Sequence, residues 1–204
     1  MKLDKKIWLA SKSPRRRELL RQIGVDFEIL FLREQAPRGP DVTELAMPGE
    51  AAADYVRRVT LEKVACAAHV QAMRHLPLRP ILCADTTVSI DGDILGKPAN
   101  NAEAQAMLRR LAGRRHQVLT SIALHWQEQT WQHTQVSQVE FSPLNDAQIV
   151  RYCSGSEPYD KAGGYGIQGQ AAAFISHIEG SYSGIMGLPL YDTLQLLQQA
   201  GFAP

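Results

Sequence analysis

Cysteine and histidine are scarce in this sequence, and their spacing excludes two common ways of stabilising a small domain. Three cysteines occur among the 204 residues, at Cys66, Cys83 and Cys153, with no CxxC spacing. An odd, widely spaced set indicates reduced thiols, which predicts a cytoplasmic protein without a disulfide framework. The six histidines show no zinc-ligand spacing. A chain of this length can bury enough surface to fold without such cross-links.

Long apolar segments and a strong net charge are also absent. No run approaches the roughly 18 apolar residues of a membrane span, and the apolar stretch 7–10 is too short for a secretory signal. The formal net charge is +1, which excludes general electrostatic wrapping of nucleic acid. We therefore expect no membrane partner and no nucleic-acid partner, and we expect residues 1–204 to form one domain.

Strand-like and helix-like segments alternate along the chain, which predicts an α/β fold with a mixed sheet and flanking helices. The predicted strands are 7–10, 27–31, 80–84, 88–90, 94–95, 117–125, 130–141 and 172–178. The predicted helices are 14–23, 49–68, 101–111, 145–153 and 189–200. Ser13 and Pro14 are typical of the N-cap and first turn of a helix. Asn100 or Asn101 caps the third helix, and the turn 91–93 indicates a hairpin.

A basic segment lies between the first strand and the first helix, and it reads Ser11-Lys12-Ser13-Pro14-Arg15-Arg16-Arg17. Arginines in the first turn oppose the helix dipole by a few tenths of a kcal/mol each. A bound anion would remove this conflict, since free amides at a helix start attract phosphate and arginine forks match its oxygens. The alternative is a solvated basic helix face. The GxxxxGK[ST] pattern is missing, so the segment is not a P-loop.

Three charged residues stand in restricted places. Asp85 follows the buried strand 80–84, and the end of a strand is where α/β sheets place ligands. It could hold a metal or deprotonate a water molecule, or it could simply cap a turn. Lys63 interrupts the apolar stripe of its predicted helix, where a charge needs a partner or must snorkel to solvent. Lys97 follows the hairpin, and either lysine could hold phosphate.

The segment 156–169 is rich in glycine and in polar groups of different chemistry. Its glycines let the backbone approach a ligand closely, and Asp160, Lys161 and Gln168 supply an acid, a base and an amide. A mobile surface loop is the alternative. A Ser-His-Asp set is not evident. Anion donors, carboxylates and a glycine-rich loop together favour metal-assisted hydrolysis of a phosphorylated small molecule.

Several of these motifs, in this order, resemble one known family. The matching runs are Leu9-Ala10-Ser11-Lys12-Ser13-Pro14-Arg15-Arg16, Ala84-Asp85-Thr86, Gly96-Lys97-Pro98, Asp160-Lys161-Ala162-Gly163-Gly164-Tyr165-Gly166-Ile167-Gln168-Gly169 and Gly187-Leu188-Pro189-Leu190. They closely resemble the Maf family of nucleoside triphosphate pyrophosphatases, over about residues 7–197. Within that family the chain is similar to the dTTP/UTP pyrophosphatase branch. The sister branch, which acts on 7-methyl-GTP, typically has tryptophan at Arg15 and glutamate at Thr86 and Gln168.

The resemblance implies a fold related to that of inosine triphosphatase, with two lobes around a nucleotide cleft. It implies hydrolysis of dTTP and UTP to monophosphate and diphosphate with a divalent cation, Mg²⁺ or Mn²⁺. The implied catalytic residues are Asp85 (the proton acceptor), Lys63 and Lys97. The implied substrate-binding residues are Ser11, Arg15, Arg16, Thr86 and Gln168. The implied metal ligands are Asp85 and Glu34, the latter in the loop after the second strand.

The resemblance leaves several alternatives open. One is the same reaction on 7-methyl-GTP or on non-standard pyrimidine nucleotides, which the enzyme would remove from the nucleotide pool. Another is a nucleotide-binding regulator of cell division in which hydrolysis is incidental, although retention of Asp85, Lys63 and Lys97 favours turnover. A homodimer is consistent with the family.

Overall fold

A computed structural model describes residues 6–33 and 41–202. Within these ranges the strands are β1 (Ile7–Leu9), β2 (Phe27–Ile29), β3 (Ile81–Ile90), β4 (Asp93–Leu95), β5 (Arg115–Trp126), β6 (Gln129–Phe141) and β7 (Ile175–Glu179). The helices are α1 (Pro14–Gln22), α2 (Ala52–Met73), α3 (Asn101–Leu111), α4 (Asp146–Cys153), α5 (Tyr182–Met186) and α6 (Leu190–Gln199). Short 3₁₀ turns cover Glu157–Asp160, Ala162–Gly164 and Gln170–Phe174.

The described strands form one mixed sheet, which confirms the predicted fold class. Their order is β2-β1-β3-β5-β6-β7, and β4 pairs with the end of β3. β1 runs parallel to both β2 and β3, whereas the other pairs are antiparallel. Parallel neighbours need crossover connections, which here contain α1 and α2. α1 carries the basic segment at its start, and α2, which contains Lys63, packs on β3 and β5.

The helix predictions are confirmed, and their local causes are visible. α1 begins at Pro14 after Ser13, although the Ser13 side chain makes no capping hydrogen bond. Asn100 caps α3 by accepting a hydrogen bond from the amide of Glu103. α2 is longer than predicted at its C-terminal end, and it packs its apolar stripe on β3 and β5. Within that stripe Val56 and Val59 are completely buried.

The strand prediction 80–84 is wrong in one respect that affects the site. β3 continues through Asp85 to Ile90 and pairs with β5 over its length, with Asp85 opposite Ser121. Asp85 therefore lies in the middle of a strand and not at its carboxyl end. The polar residues after position 84 had suggested that the strand ended there. The neighbouring strand β5 also carries hydroxyl groups, and these give the polar residues polar neighbours within the sheet.

Two C-terminal elements also differ from expectation. The predicted strand 172–178 begins only at Ile175, since the residues before it form a 3₁₀ turn. The helix α5 was not predicted, because it has five residues and contains Gly184. Ser181 caps its start, and Gly187 ends it with a φ of 116°, a left-handed conformation that favours glycine.

The apolar core lies on both faces of the sheet. One cluster gathers around α3, α4 and Phe141, and others form under α1, α6 and α2. Among the described helices, none is long and apolar enough to span a bilayer.

A buried histidine in this core predicts a specific acid sensitivity. His116 is 2% exposed, and its Nε2 lies 2.6 Å from the hydroxyl of Tyr165. Burial lowers the pKa of His116 to about 4. Below a pH of about 6.5 the histidine is protonated in the unfolded chain but stays neutral in the folded chain. Stability that is present above that pH is therefore lost as the pH falls towards 4. We expect a loss of about 2–3 kcal/mol from this group between pH 7 and pH 4.

Urea unfolding of the wild type and His116→Gln at several pH values measures this contribution. The variant should keep a hydrogen bond to Tyr165 and have a shallower decline of unfolding free energy between pH 6.5 and pH 4. Equal pH slopes in the two proteins would contradict the assignment.

Candidate active site

A cleft of about 680 Å³ contains every sequence-predicted site residue that the structure describes. Residues 84–88 of β3 contribute to its wall, and its size is typical of small-molecule sites. The predicted residues lining it are Ser11, Arg15, Arg16, Lys63, Asp85, Thr86, Lys97 and Gln168. The predicted metal ligand Glu34 lies outside the described residues. The structure thus brings together segments that are more than a hundred residues apart in the chain.

A buried lysine between two carboxylates lies in this cleft. Lys63 Nζ donates to Asp85 Oδ1 at 2.7 Å and lies 2.6 Å from Glu44 Oε1. Burial acts to lower the pKa of Lys63, but the charges of Asp85 and Glu44 outweigh it and the pKa is raised. Lys63 is therefore a cation at neutral pH. Its side chain is only 13% exposed, so it is paired in place and does not snorkel to solvent.

Glu44 is a site residue that the sequence reasoning did not select. Burial acts to raise the pKa of Glu44, but Lys63 and Lys97 outweigh it and the pKa is lowered. The carboxylate is therefore ionised at neutral pH, 3.9 Å from Lys97 Nζ. The signal that could have revealed Glu44 is Lys63 itself, since a lysine in an apolar stripe calls for anionic partners.

The loop that carries Glu44 is held against the start of α2. The hydroxyl of Tyr55 donates to the Glu44 carbonyl at 3.2 Å, and burial raises the pKa of Tyr55 to about 12, so the phenol remains a donor. Arg58 donates to both oxygens of Glu50 at 2.7 and 2.8 Å and to the Leu45 carbonyl at 3.0 Å. These contacts hold the main chain at Glu44 and just after it against α2.

The start of α1 lines one side of the cleft and contributes its basic side chains. Arg16 donates from Nε to the Gly187 carbonyl at 2.7 Å and from Nη1 to Ser11 Oγ at 3.2 Å. Burial lowers the pKa of Arg16, and the Asp85 charge acts in the opposite direction. The same Ser11 hydroxyl accepts from the Ser13 amide at 3.2 Å. Several hydrogen bonds thus hold Arg16 at a helix start, where free amides attract anions.

A hydroxyl relay connects Arg16 to the C-terminal segment. Arg16 Nη2 donates to Thr86 Oγ1 at 3.2 Å, and Thr86 Oγ1 lies 2.9 Å from Thr120 Oγ1. Thr120 donates to the Gly184 carbonyl at 2.7 Å. Because that carbonyl can only accept, the Thr86 hydroxyl is the donor to Thr120. Thr86 therefore lies in the cleft wall, and its hydroxyl proton is used in the hydrogen bond to Thr120.

The glycine-rich segment forms the opposite wall. Arg15 Nη1 lies 3.4 Å from Asp160 Oδ2, which links α1 to this wall by an exposed ion pair. Gly163 has a φ of 68°, and a Cβ there would lie 3.0 Å from the Val88 side chain. Glycine is therefore needed for both conformation and space. Gln168 is exposed on the segment and lines the cleft.

Asp85 and Glu44 are the described side chains that could hold a divalent cation. Both contact the same ammonium group, so their carboxylates converge on one point. Carboxylate oxygens suit Mg²⁺, which is commonly bound by one or two carboxylates together with substrate phosphates. Within residues 6–33 and 41–202 there is no group of three or more ligating side chains. The donor set thus fits a cation that arrives with a phosphorylated ligand.

Comparison with known proteins relates almost the whole chain to one family. The family model described as Maf-like protein matches residues 6–200. The dTTP/UTP pyrophosphatase of Ralstonia nicotianae is 53% identical over 195 residues, covering 95% of this chain and 93% of that protein. That of Bordetella parapertussis is 52% identical over 201 residues, covering 97% and 94%. That of Aromatoleum aromaticum is 49% identical over 201 residues, covering 98% of each. Among solved structures, the Staphylococcus aureus Ham1 protein aligns with a TM-score of 0.42 and 16% identity, covering 67% of this chain and 71% of that chain.

Proposed function

The chain belongs to the Maf family, and from this premise we propose that it hydrolyses dTTP and UTP to the nucleoside monophosphate and diphosphate. The observation that carries the proposal is the buried Lys63–Asp85 pair, at 2.7 Å, in the same cleft as Arg16. A paired acid suits activation of water, and the arginine at a helix start suits a triphosphate. Relatives that are about half identical over nearly their full length bear the name of this activity.

The triphosphate is held by the basic side of the cleft. Arg16 and the amides at the start of α1 face the phosphates, with Ser11 as a further hydroxyl donor. Lys97, whose side chain is 61% exposed, contributes a further positive charge at the cleft. Arg15 can exchange its exposed partner Asp160 for a phosphate oxygen. Arg16 is held in place before substrate arrives, whereas Lys97 and Arg15 adjust to the bound phosphates.

Hydrolysis then requires one proton transfer and one displacement. Asp85 accepts a proton from a water molecule, whose oxygen attacks the α-phosphorus. The bond between that phosphorus and the bridging oxygen to the β-phosphorus breaks, and diphosphate leaves with the electron pair. Lys63 keeps Asp85 in place through its 2.7 Å hydrogen bond and offsets negative charge in the transition state.

We propose Mg²⁺ or Mn²⁺ as the cofactor, held by Asp85 and Glu44 together with substrate oxygens. When bound, such a cation neutralises charge on the phosphates and on the departing diphosphate. Lys63, which contacts both carboxylates, would then give up one of its two partners. We further propose that the enzyme is a single cytoplasmic domain over residues 1–204 that acts on free nucleotides. A homodimer stays a prediction.

Selection among bases is assigned to Gln168 and Thr86. An amide offers both a donor and an acceptor, which suits the neighbouring C=O and N–H groups of uracil and thymine. Glutamate offers only acceptors and suits the donor edge of guanine.

We therefore expect Gln168→Glu combined with Thr86→Glu to lower kcat/KM for dTTP relative to 7-methyl-GTP by about 10²-fold. The ratio of kcat/KM values measures this, and an unchanged ratio would count against the base-reading role.

The activity itself is tested by diphosphate release from a panel of nucleoside triphosphates. The panel contains dTTP, UTP, 7-methyl-GTP, the other standard nucleotides and modified pyrimidine nucleotides, each with Mg²⁺ and with Mn²⁺. We expect dTTP and UTP to be the best standard substrates. Phosphate release without diphosphate, or preference for 7-methyl-GTP, would overturn the proposal. Tight binding of dTTP without turnover would favour the regulator instead.

A further inference from the structure

The loop that carries Gln168 is closed by a side chain to which no role has yet been given. We propose that Glu157 is a positioning residue, which fixes Gln168 for base selection by joining the two ends of the segment 157–170. This inference rests on the proposed function, because it concerns the accuracy with which the same cleft distinguishes uracil and thymine from other bases.

The Glu157 carboxylate gathers hydrogen bonds from three groups. Its Oε2 accepts from the Gln170 amide at 2.8 Å, and its Oε1 accepts from the Ala171 amide at 3.4 Å. Oε1 also accepts from the Tyr152 hydroxyl on α4 at 3.0 Å. Burial and the Glu157 charge both raise the pKa of Tyr152, so its phenol stays protonated and remains a donor. One side chain therefore joins residues 13 positions apart, which closes the loop, and anchors the loop to a helix.

The carboxylate also packs directly on the backbone beside Gln168. Gly169 has a φ of −104°, which any residue can adopt, so its conformation does not require glycine. A Cβ at Gly169 would instead overlap the Glu157 carboxylate. The residue after Gln168 thus lacks a side chain because the carboxylate occupies that space. The Gln168 backbone has little freedom, because Gly169 packs against the Glu157 carboxylate and the Gln170 amide donates to it.

The other end of the loop is fixed through the main chain of the same residue. Lys161 Nζ donates to the Glu157 carbonyl at 2.8 Å. The Lys161 side chain crosses Gly166 so closely that a Cβ there would lie 2.7 Å from Cε. Glu157 is therefore joined to both halves of the loop, and the segment that presents Gln168 is held at each end.

Variants of Glu157 separate this role from simple support of the fold. Glu157→Ala removes all three acceptor contacts, and we expect about a tenfold rise in KM for UTP with little change in kcat. The preference for UTP over GTP, as a ratio of kcat/KM values, should fall about tenfold as well. Glu157→Gln should give a smaller effect, because its carbonyl oxygen can still accept from Gln170 while its NH₂ donates to the Tyr152 oxygen. The Ki of inorganic tripolyphosphate, which has no base, should not change.

Gly169→Ala provides a second route if Glu157→Ala folds poorly. The added methyl group displaces the carboxylate and should produce the same loss of base preference. The matched controls are Glu128→Ala, in the exposed turn between β5 and β6, and Gly155→Ala, where a Cβ meets only the Tyr152 carbonyl oxygen at 3.4 Å. Both controls should retain wild-type base preference.

The decisive comparison combines Glu157→Ala with Gln168→Ala. If Glu157 acts through Gln168, the second substitution abolishes the effect of the first on the UTP-to-GTP ratio. Independent, multiplicative losses, or an unchanged ratio in Glu157→Ala, overturn the inference while wild-type turnover upholds the proposed function. Failure of the wild type to release diphosphate overturns both the proposed function and this inference. Amide hydrogen exchange at Gln170, compared between the wild type and Glu157→Ala, then measures only whether Glu157 closes the loop.

Discussion

Asp85→Asn is expected to lower kcat for dTTP by about 10³-fold without unfolding the protein. Asparagine has nearly the same shape and can still accept a hydrogen bond from Lys63, but it cannot take a proton from water. Asp85 lies inside β3 and its side chain is 10% exposed, so an isosteric change leaves the strand pairing intact. The triphosphate still meets Arg16 and the start of α1, so KM should change much less than kcat.

Steady-state diphosphate release and urea unfolding test this expectation together. The matched control is Asp93→Asn, because Asp93 lies on the neighbouring β4 and forms a 2.7 Å surface ion pair with Arg110. That variant should retain wild-type kcat. Near wild-type turnover in Asp85→Asn would show that Asp85 is not the proton acceptor, even if the wild type has the family activity.

Lys63→Met should impair both catalysis and stability. It leaves Asp85 and Glu44 close together without the cation that joins them, and removing one member of a buried ion pair costs about 3–5 kcal/mol. We expect kcat to fall by about 10²-fold or more, since the transition state loses a fixed positive charge. Without Lys63 the pKa of the Glu44 carboxyl rises, because burial is then opposed only by more distant cations.

The direction of the Glu44 pKa shift determines how the stability difference between Lys63→Met and the wild type changes with pH. In the wild type the pKa of Glu44 is lowered, so its contribution to stability is present above the ordinary carboxyl pKa and is lost as the pH falls through the lower folded value. Lys63→Met removes that contribution, so the stability gap to the wild type should be wide at pH 7 and narrow in acid. Lys97→Met is the control for stability, since Lys97 is 61% exposed. An equal gap at every pH would contradict the pairing argument.

Local patterns were sufficient for most of the secondary structure, and the resemblance to the family supplied most of the predicted cleft residues. Ser13 and Pro14 marked the start of α1 because capping and proline geometry act within a few residues. The periodicity of α2 exposed Lys63 as an anomaly, and the structure shows the two carboxylates that resolve it. Side chains such as Gln168 were accessible to sequence reasoning because they lie on motifs of distinctive composition.

Features decided by distant contacts were not predictable in this way. Glu44 lies in a polar loop whose path depends on Tyr55 and Arg58, and nothing in its own neighbourhood distinguishes it from other exposed acids. The placement of Asp85 within β3 depends on pairing with β5, which follows some 30 residues later. The residues before β7 form a 3₁₀ turn, and the first two amides of that turn donate to Glu157, a residue 13 positions before Gln170.

The hydrogen bond from Arg16 to the Gly187 carbonyl joins residues 171 positions apart, and this separation bears on when the enzyme becomes active. Contacts between remote parts of a chain form late, after the loop between them has closed. A protein emerging from the ribosome exposes α1 long before Gly187 has been synthesised. Arg16 therefore gains this hydrogen bond only after Gly187 has been synthesised, and until then the cleft lacks this contact.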